Sequence, residues 1–181
     1  MIVKVALAAA QSFVLTLACS AQENSASKPP ELEALSGAVG TWDAKIEVWP
    51  QGLDSPSIKF QGVEEIRPYG EYWIASEFDS EYEGQTIGVH SIVGYDLDKQ
   101  QLVGMVIDHG PYAASMTGVY DAKTKAVTWT THAKDAGGKP MVQTTTVTQT
   151  NADQRVLTLS VPGDNKEEFV KFMEITFSKR E

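Results

Sequence analysis

The chain has 181 residues, 42 % of them hydrophobic, with 15 Lys and Arg against 24 Asp and Glu and a formal charge of −9. That is about one domain, large enough to bury a real core, and its composition is neither that of a disordered chain nor that of a polytopic membrane protein. The acidic balance, with basic residues scattered and only Lys179-Arg180 adjacent, excludes phosphate-backbone binding, so no nucleic-acid partner is expected.

Residues 1–21 have the layout of a secretory signal peptide. Lys4 supplies a positive start. Val5 to Ala10 and Phe13 to Ala18 supply an apolar stretch interrupted by Gln11 and Ser12, and small residues follow through Ala21. The stretch is too short and too interrupted for a transmembrane helix, so no membrane span is expected. Cleavage after Ala21 leaves Cys19 and Ala21 at the two positions a signal peptidase inspects. The alternative is the bacterial lipoprotein route, in which Cys19 of Thr16-Leu17-Ala18-Cys19 becomes the lipid-modified first residue, with Thr16 standing where a large aliphatic residue is usual. Both routes imply export, to the periplasm or medium in the first case and to a lipid anchor in the envelope in the second. Neither leaves a disulfide to hold the mature chain together, so the core must do it.

Residues 22–30, polar and Pro-terminated, read as a flexible linker. Glu31 to Val39 suits two turns of helix. Pro30 fits a first helical position, Glu31 and Glu33 suit the positive end, Leu32 and Leu35 share a face, and Gly37 and Gly40 end it. From Gly40-Thr41-Trp42 onward the period of the apolar residues becomes two, predicting ten strands at 41–49, 57–67, 71–80, 86–96, 100–108, 113–121, 125–132, 140–150, 154–161 and 168–178. The separators are short and rich in Gly, Pro, Asn and Asp, which join antiparallel neighbours rather than parallel ones. Residues 31–181 therefore form one all-β domain, an antiparallel up-and-down barrel with a short N-terminal helix. Several strands are apolar on both faces, as in Trp73 and Ala75 against Tyr72, Ile74 and Phe78. A barrel with an apolar lumen, or a face buried against a second subunit, accommodates that, and closure also removes the two free edges of a ten-stranded sheet. A β-sandwich is the alternative.

Gly94-Tyr95-Asp96 and Gly118-Val119-Tyr120-Asp121 each end a strand on Tyr-Asp and lead into a Lys-containing turn. They read as hairpin corners, with the Asp bonding backbone N–H groups beyond it and the Tyr packed beside the turn. Gly40-x-Trp42, the meander of short strands and Arg180 in the last strand's tail together resemble the calycin superfamily, whose best-known members are lipocalins. More closely, the chain resembles a bacterial calycin-like family of unknown function. The resemblance rests on the early Gly40 and Trp42, the two Tyr-Asp corners, Ile107-Asp108 and Gly138-Lys139, and spans residues 31–180. It departs at Gly70-Glu71-Tyr72-Trp73, where an Arg beside a Gly pair is expected. The resemblance implies the barrel and brings no activity with it. In that barrel, Gly40, Trp42 and Arg180 close the floor, with Arg180 stacking on Trp42.

Candidate chemistry is sparse. There is no His-x-His, His-Glu-x-x-His or Cys pair, no Gly-x-Ser-x-Gly and no phosphate-binding glycine loop, so neither a metal nor a cofactor is expected, a haem held by one lumen His being the alternative left open. His90 reads as outward-facing, and His132 as the solvated end of a Thr-rich strand. His109, beside Asp108 and the Gly110-Pro111-Tyr112 loop, is the one candidate for ligand contact or for a hydrolase or isomerase base. The acid runs Glu64-Glu65, Glu77 to Glu83 and Glu167-Glu168 read as solvated faces. Phe60, Trp73, Tyr95, Met105, Met116 and Trp129, with His109, are the expected lumen lining. The function expected from this is binding of a small apolar or amphipathic molecule. The alternatives are an envelope interaction or homodimerisation module and an enzyme built on His109.

Overall fold

The computed structural model describes residues 28–135, 137–163 and 168–181. Residues 1–21, expected to be a targeting stretch and containing Cys19, and residues 22–27 of the expected linker lie outside the described residues. The helix α1 (Pro30–Gly37) is followed by β1 (Gly40–Val48), β2 (Ile58–Tyr69), β3 (Trp73–Tyr82), β4 (Gln85–Asp96), β5 (Gln101–Ile107), β6 (Ala114–Asp121), β7 (Ala126–Lys134), β8 (Pro140–Asn151), β9 (Gln154–Pro162) and β10 (Phe169–Lys179). Each strand lies where the period-two pattern places it, with ends displaced by at most two residues. Neighbours in sequence pair antiparallel, and β1 also pairs with β10, Trp42 opposite Lys179 and Ile46 opposite Ile175, so the sheet closes into a barrel. Closure leaves no row of unpaired backbone groups to recruit another strand.

Alternation along β1 shows how the core is made. Trp42, Ala44 and Ile46 are buried while Asp43 and Lys45 are exposed. Inward residues of every strand stack with these, and one end of the stack is sealed by α1, which lies against β3, β4 and β6. Pro30 opens the helix, Glu31 and Glu33 sit in its first turn, and Leu32 and Leu35 are buried in the same cluster as Trp42. The indole Nε1 of Trp42 donates to the Ala38 carbonyl at 2.8 Å, satisfying an acceptor at the helix's end and tying the helix to the first strand. Gly40 carries φ +135°, a backbone conformation that favours glycine, and a Cβ there would stand 2.9 Å from the Lys179 side chain. The other end of the barrel carries the Glu83-Gly84 hairpin and the loop 108–113.

The hairpin corners repeat one device. Asp96 Oδ1 accepts the backbone N–H groups of Asp98 and Lys99, Asp121 Oδ1 accepts that of Lys123, and Asp135 Oδ1 accepts those of Gly137 and Lys139. Tyr95 and Tyr120 pack inward against the core beside the first two corners. The Lys99 ammonium, and then its backbone N–H, hold the Asp96 carboxyl below the usual range, while the Thr124 hydroxyl and then the Lys123 N–H do the same for Asp121. For a lowered pKa, the unfolded chain binds the proton more readily. The contribution is therefore complete above the unfolded value, at about pH 4, and is lost as pH falls through the folded one. Asp96→Asn/Asp121→Asn should flatten the fall of the urea midpoint below about pH 4, as read in titrations of variant and parent.

Candidate functional site

At the closed end the lumen floor is built around a buried ion pair. Arg155 enters from β9 and is only 5 % exposed. Its Nη2 donates to Glu64 Oε2 at 2.5 Å, from β2 across the barrel. The guanidinium lies over the Phe177 ring at 4.2 Å and over the Trp42 ring at 4.6 Å, with Lys179 reaching the same indole at 5.4 Å. Burial pushes the Arg155 pKa down, and the adjacent Glu64 carboxylate opposes that shift. Its Nε is buried and has no hydrogen-bond partner among the described residues.

Above this floor the lumen is open. A cavity of ≈ 310 Å³ is lined chiefly by apolar side chains, among them Phe60, Phe78, Val89, Leu159 and Met173, with Glu64, Ser76, Ser91, Thr131, Gln143 and Thr145 as its polar points. A smaller space of ≈ 160 Å³ lies deeper, against α1, bounded by Leu35, Ile66, Trp129 and Arg155. Glu64, Ser76, Ser91, Met116, Thr145 and Leu157 line both, so the two spaces share one wall. Ser76 and Ser91 bond each other through their hydroxyls at 2.9 Å on neighbouring strands. Towards the open end Phe60 packs on Tyr82, ring centroids 5.4 Å apart.

The expected lining residues divide into two groups. Phe60 and Met116 line the larger cavity, Trp129 lines the deeper one, and Tyr95 packs into the core near the floor. Trp73, Met105 and His109 do not face the lumen. Trp73 stands opposite Gly94 on the outer surface, and its ring occupies the place of the absent side chain: a Cβ at Gly94 would lie 2.4 Å from ring atoms. Where both faces of a strand are apolar, composition does not say which face is inside, and the Gly opposite the Trp decides it. Met105 has the same outward parity and is 46 % exposed.

His109 lies just beyond β5, and its Nε2 accepts the Gly88 N–H at 3.0 Å. The backbone pairing of β4 and β5 ends at His90 with Ile107, so this imidazole supplies the acceptor that another ladder residue would have supplied. Its neighbour Asp108 is engaged separately, accepting the Gly110 N–H at 2.7 Å. His109 and a carboxylate therefore do not converge on the cavity, which removes the geometric basis for a base there. His90 and His132 are exposed and His109 bonds Gly88, so no imidazole lines the cavity. Among the described residues no group of three His, Cys, Asp or Glu could hold a metal ion, and no helix is long and apolar enough to cross a membrane.

Arg180 does not stack on Trp42. Its guanidinium pairs with Asp43 on the exterior, and Arg155 takes the stacking position from β9. Glu64 is likewise no part of a solvated face. Both residues occupy inward positions of alternating strands, Glu64 between Gly62 and Ile66 and Arg155 before Leu157 and Leu159. A lone charge at an inward position in each of two strands was the available signal. Their pairing, across 91 residues of sequence, was not.

A family model described as "Protein of unknown function (DUF1579)" matches residues 28–179. No curated protein matches the chain. Among solved structures, Rv2717c from M. tuberculosis is similar at a TM-score of 0.63 and 9 % identity, covering 84 % of this chain and 99 % of that one. The S-type phycobiliprotein lyase CPES from Guillardia theta is similar at a TM-score of 0.54 and 10 % identity, covering 82 % and 92 %. Both are calycin-like barrels, and at these identities the likeness establishes the fold alone.

Proposed function

The chain belongs to the DUF1579 family of proteins of unknown function, and we propose that it is an exported calycin-like barrel that binds a small apolar or amphipathic molecule in its lumen. The observation that carries this reading is the ≈ 310 Å³ space with apolar walls and a few polar points, preserved inside a closed barrel that is sealed at one end. Chains that need only a core fill such a space with side chains, because an empty volume forfeits packing energy. The export half of the reading rests on residues 1–21. Their apolar stretch and small-residue end support removal after Ala21, or anchoring through Cys19, followed by a linker to residue 30. The intact mass of the protein isolated from the envelope distinguishes these routes.

The lumen reading is tested with a neutral solvatochromic dye such as Nile red. The parent protein should bind it saturably with a blue-shifted emission, and Val89→Trp, which places an indole in the cavity, should weaken binding about tenfold or more while the protein stays folded. Equal dye binding by parent and variant would place the dye elsewhere.

A second reading, an interaction or homodimerisation module, is favoured by the outer face of β5 and β6. Met105, Ile107 and Val119 are 46 %, 47 % and 68 % exposed there, and Met105 sits beside Ile92 of β4. On this reading sedimentation gives a dimer that Ile107→Lys converts to monomer. A parent protein that sediments as a monomer at high concentration removes it.

A further inference from the structure

We propose that the ligand's deep end is a hydrogen-bond donor, a hydroxyl or an ammonium group, and that the lumen discriminates against carboxylates and other anions. The inference rests on the lumen-binding reading and says which chemistry that site takes.

The larger cavity meets only one half of the floor ion pair. Glu64 lines the larger cavity and Arg155 does not. The guanidinium is held beneath, clamped by Trp42 and Phe177, with its Nη2 committed to Glu64 Oε2. Among the described residues Glu64 is the only charged side chain lining the larger cavity, and its charge is negative. A carboxylate has two oxygens and accepts several hydrogen bonds, and among the described residues Arg155 is the only side chain that donates to this one. Glu64 lines the larger cavity, where a donor would satisfy its remaining acceptor capacity and an anion would not.

The other polar points at this depth are compatible with that assignment. Ser76 and Ser91 adjoin the same wall as Glu64, and their mutual hydrogen bond uses one of their two hydroxyl protons, leaving one proton and several oxygen lone pairs available. Thr131, Gln143 and Thr145 are neutral. An anionic head group against this wall of the larger cavity would thus approach a like charge in a medium poorer in screening than water, while the nearest cation, Arg155, bounds only the deeper space and has its Nη2 committed to Glu64. An amphipathic molecule with a hydroxyl or amine head keeps its apolar body against Phe78, Val89 and Leu159 and places its head on Glu64 and the serine pair.

The test uses probes with one tail and three heads. Decanol, decylamine and decanoate are titrated calorimetrically into the full chain, purified without denaturation, at pH 7. Decanol and decylamine should bind at least about tenfold more tightly than decanoate, a difference of about 1.4 kcal/mol. Glu64→Gln should raise decanoate affinity and narrow that gap. Because this variant leaves Arg155 without its counter-charge and can fail to fold, Ser76→Ala/Ser91→Ala serves as the second variant. It retains the ion pair and should reduce decanol affinity about fivefold. Decanoate binding as tightly as decanol in the parent protein would overturn the inference while leaving lumen binding intact. A parent protein that binds none of the three would overturn both.

Discussion

Trp42→Ala should cost about 3–5 kcal/mol of folding stability, the range for deleting a large aromatic side chain from a core. The indole is fully buried at 0 % exposure, and it is the meeting point of three parts of the chain. It holds α1 through its bond to Ala38, packs in the same cluster as Leu32 and Leu35, and offers its face to Arg155. Truncation therefore removes a packed volume, a satisfied donor and one wall of the Arg155 clamp. For a domain of this size the melting temperature should fall by on the order of 10 °C, as read by calorimetry. A loss below about 1 kcal/mol in urea titration would show that the floor does not depend on this residue.

The second large effect concerns the ion pair. Glu64→Ala should destabilise the barrel by about 3–5 kcal/mol, because it leaves the Arg155 guanidinium buried without a counter-charge. The asymmetry is the informative part. Glu64→Leu/Arg155→Met replaces both partners by apolar side chains of comparable size and should recover most of the loss. Arg155 touches Trp42, so Arg155→Met and Trp42→Ala should combine non-additively in a double-mutant cycle. If Glu64→Ala and the double replacement are equally unstable, packing rather than charge compensation explains the Glu64 effect.

These expectations come from the floor of the barrel, which the sequence reveals only in part. The strands and their order were legible because each buries one face, and burial of one face writes itself as alternation. The corners at Asp96 and Asp121 were legible for a similar reason, since an Asp bonding the backbone just beyond it is a local event. Closure followed from strands apolar on both faces and from the two free edges that an open ten-stranded sheet would leave. Three features were hidden, each for a different physical reason. Trp73 and Met105 belong to strands apolar on both faces, so alternation is present and its sense is not; Gly94 settles it for Trp73 only once the register is known. The partner of the floor tryptophan came from β9 rather than from the chain's end, because stacking needs a cation at the right height inside the barrel and Arg180 lies outside it. His109 reads as reactive in a list of residue types, yet in the barrel it completes a backbone ladder. Residues that act locally can be read from neighbours in sequence, while Glu64 and Arg155 acquire their roles only across the lumen.

The barrel's two ends divide the work that follows from this arrangement. The closed end carries the stability, in Trp42, the α1 plug and the ion pair. The space above it is the proposed ligand site, and the loop 108–113 lies at the opposite end from α1, where the Lys134 ammonium stands 4.9 Å from the Tyr112 ring. Substitutions at the floor should therefore register first as lost stability, and substitutions on the wall, such as Val89→Trp, as lost binding.

The most direct test of lumen binding is native mass spectrometry of the protein isolated from its own cells without denaturation, compared with Val89→Trp prepared identically. The account predicts a discrete added mass on the parent protein that is released on unfolding and is absent or strongly reduced in the variant. A parent protein that carries no added mass, and gains none when titrated with decanol, would contradict it.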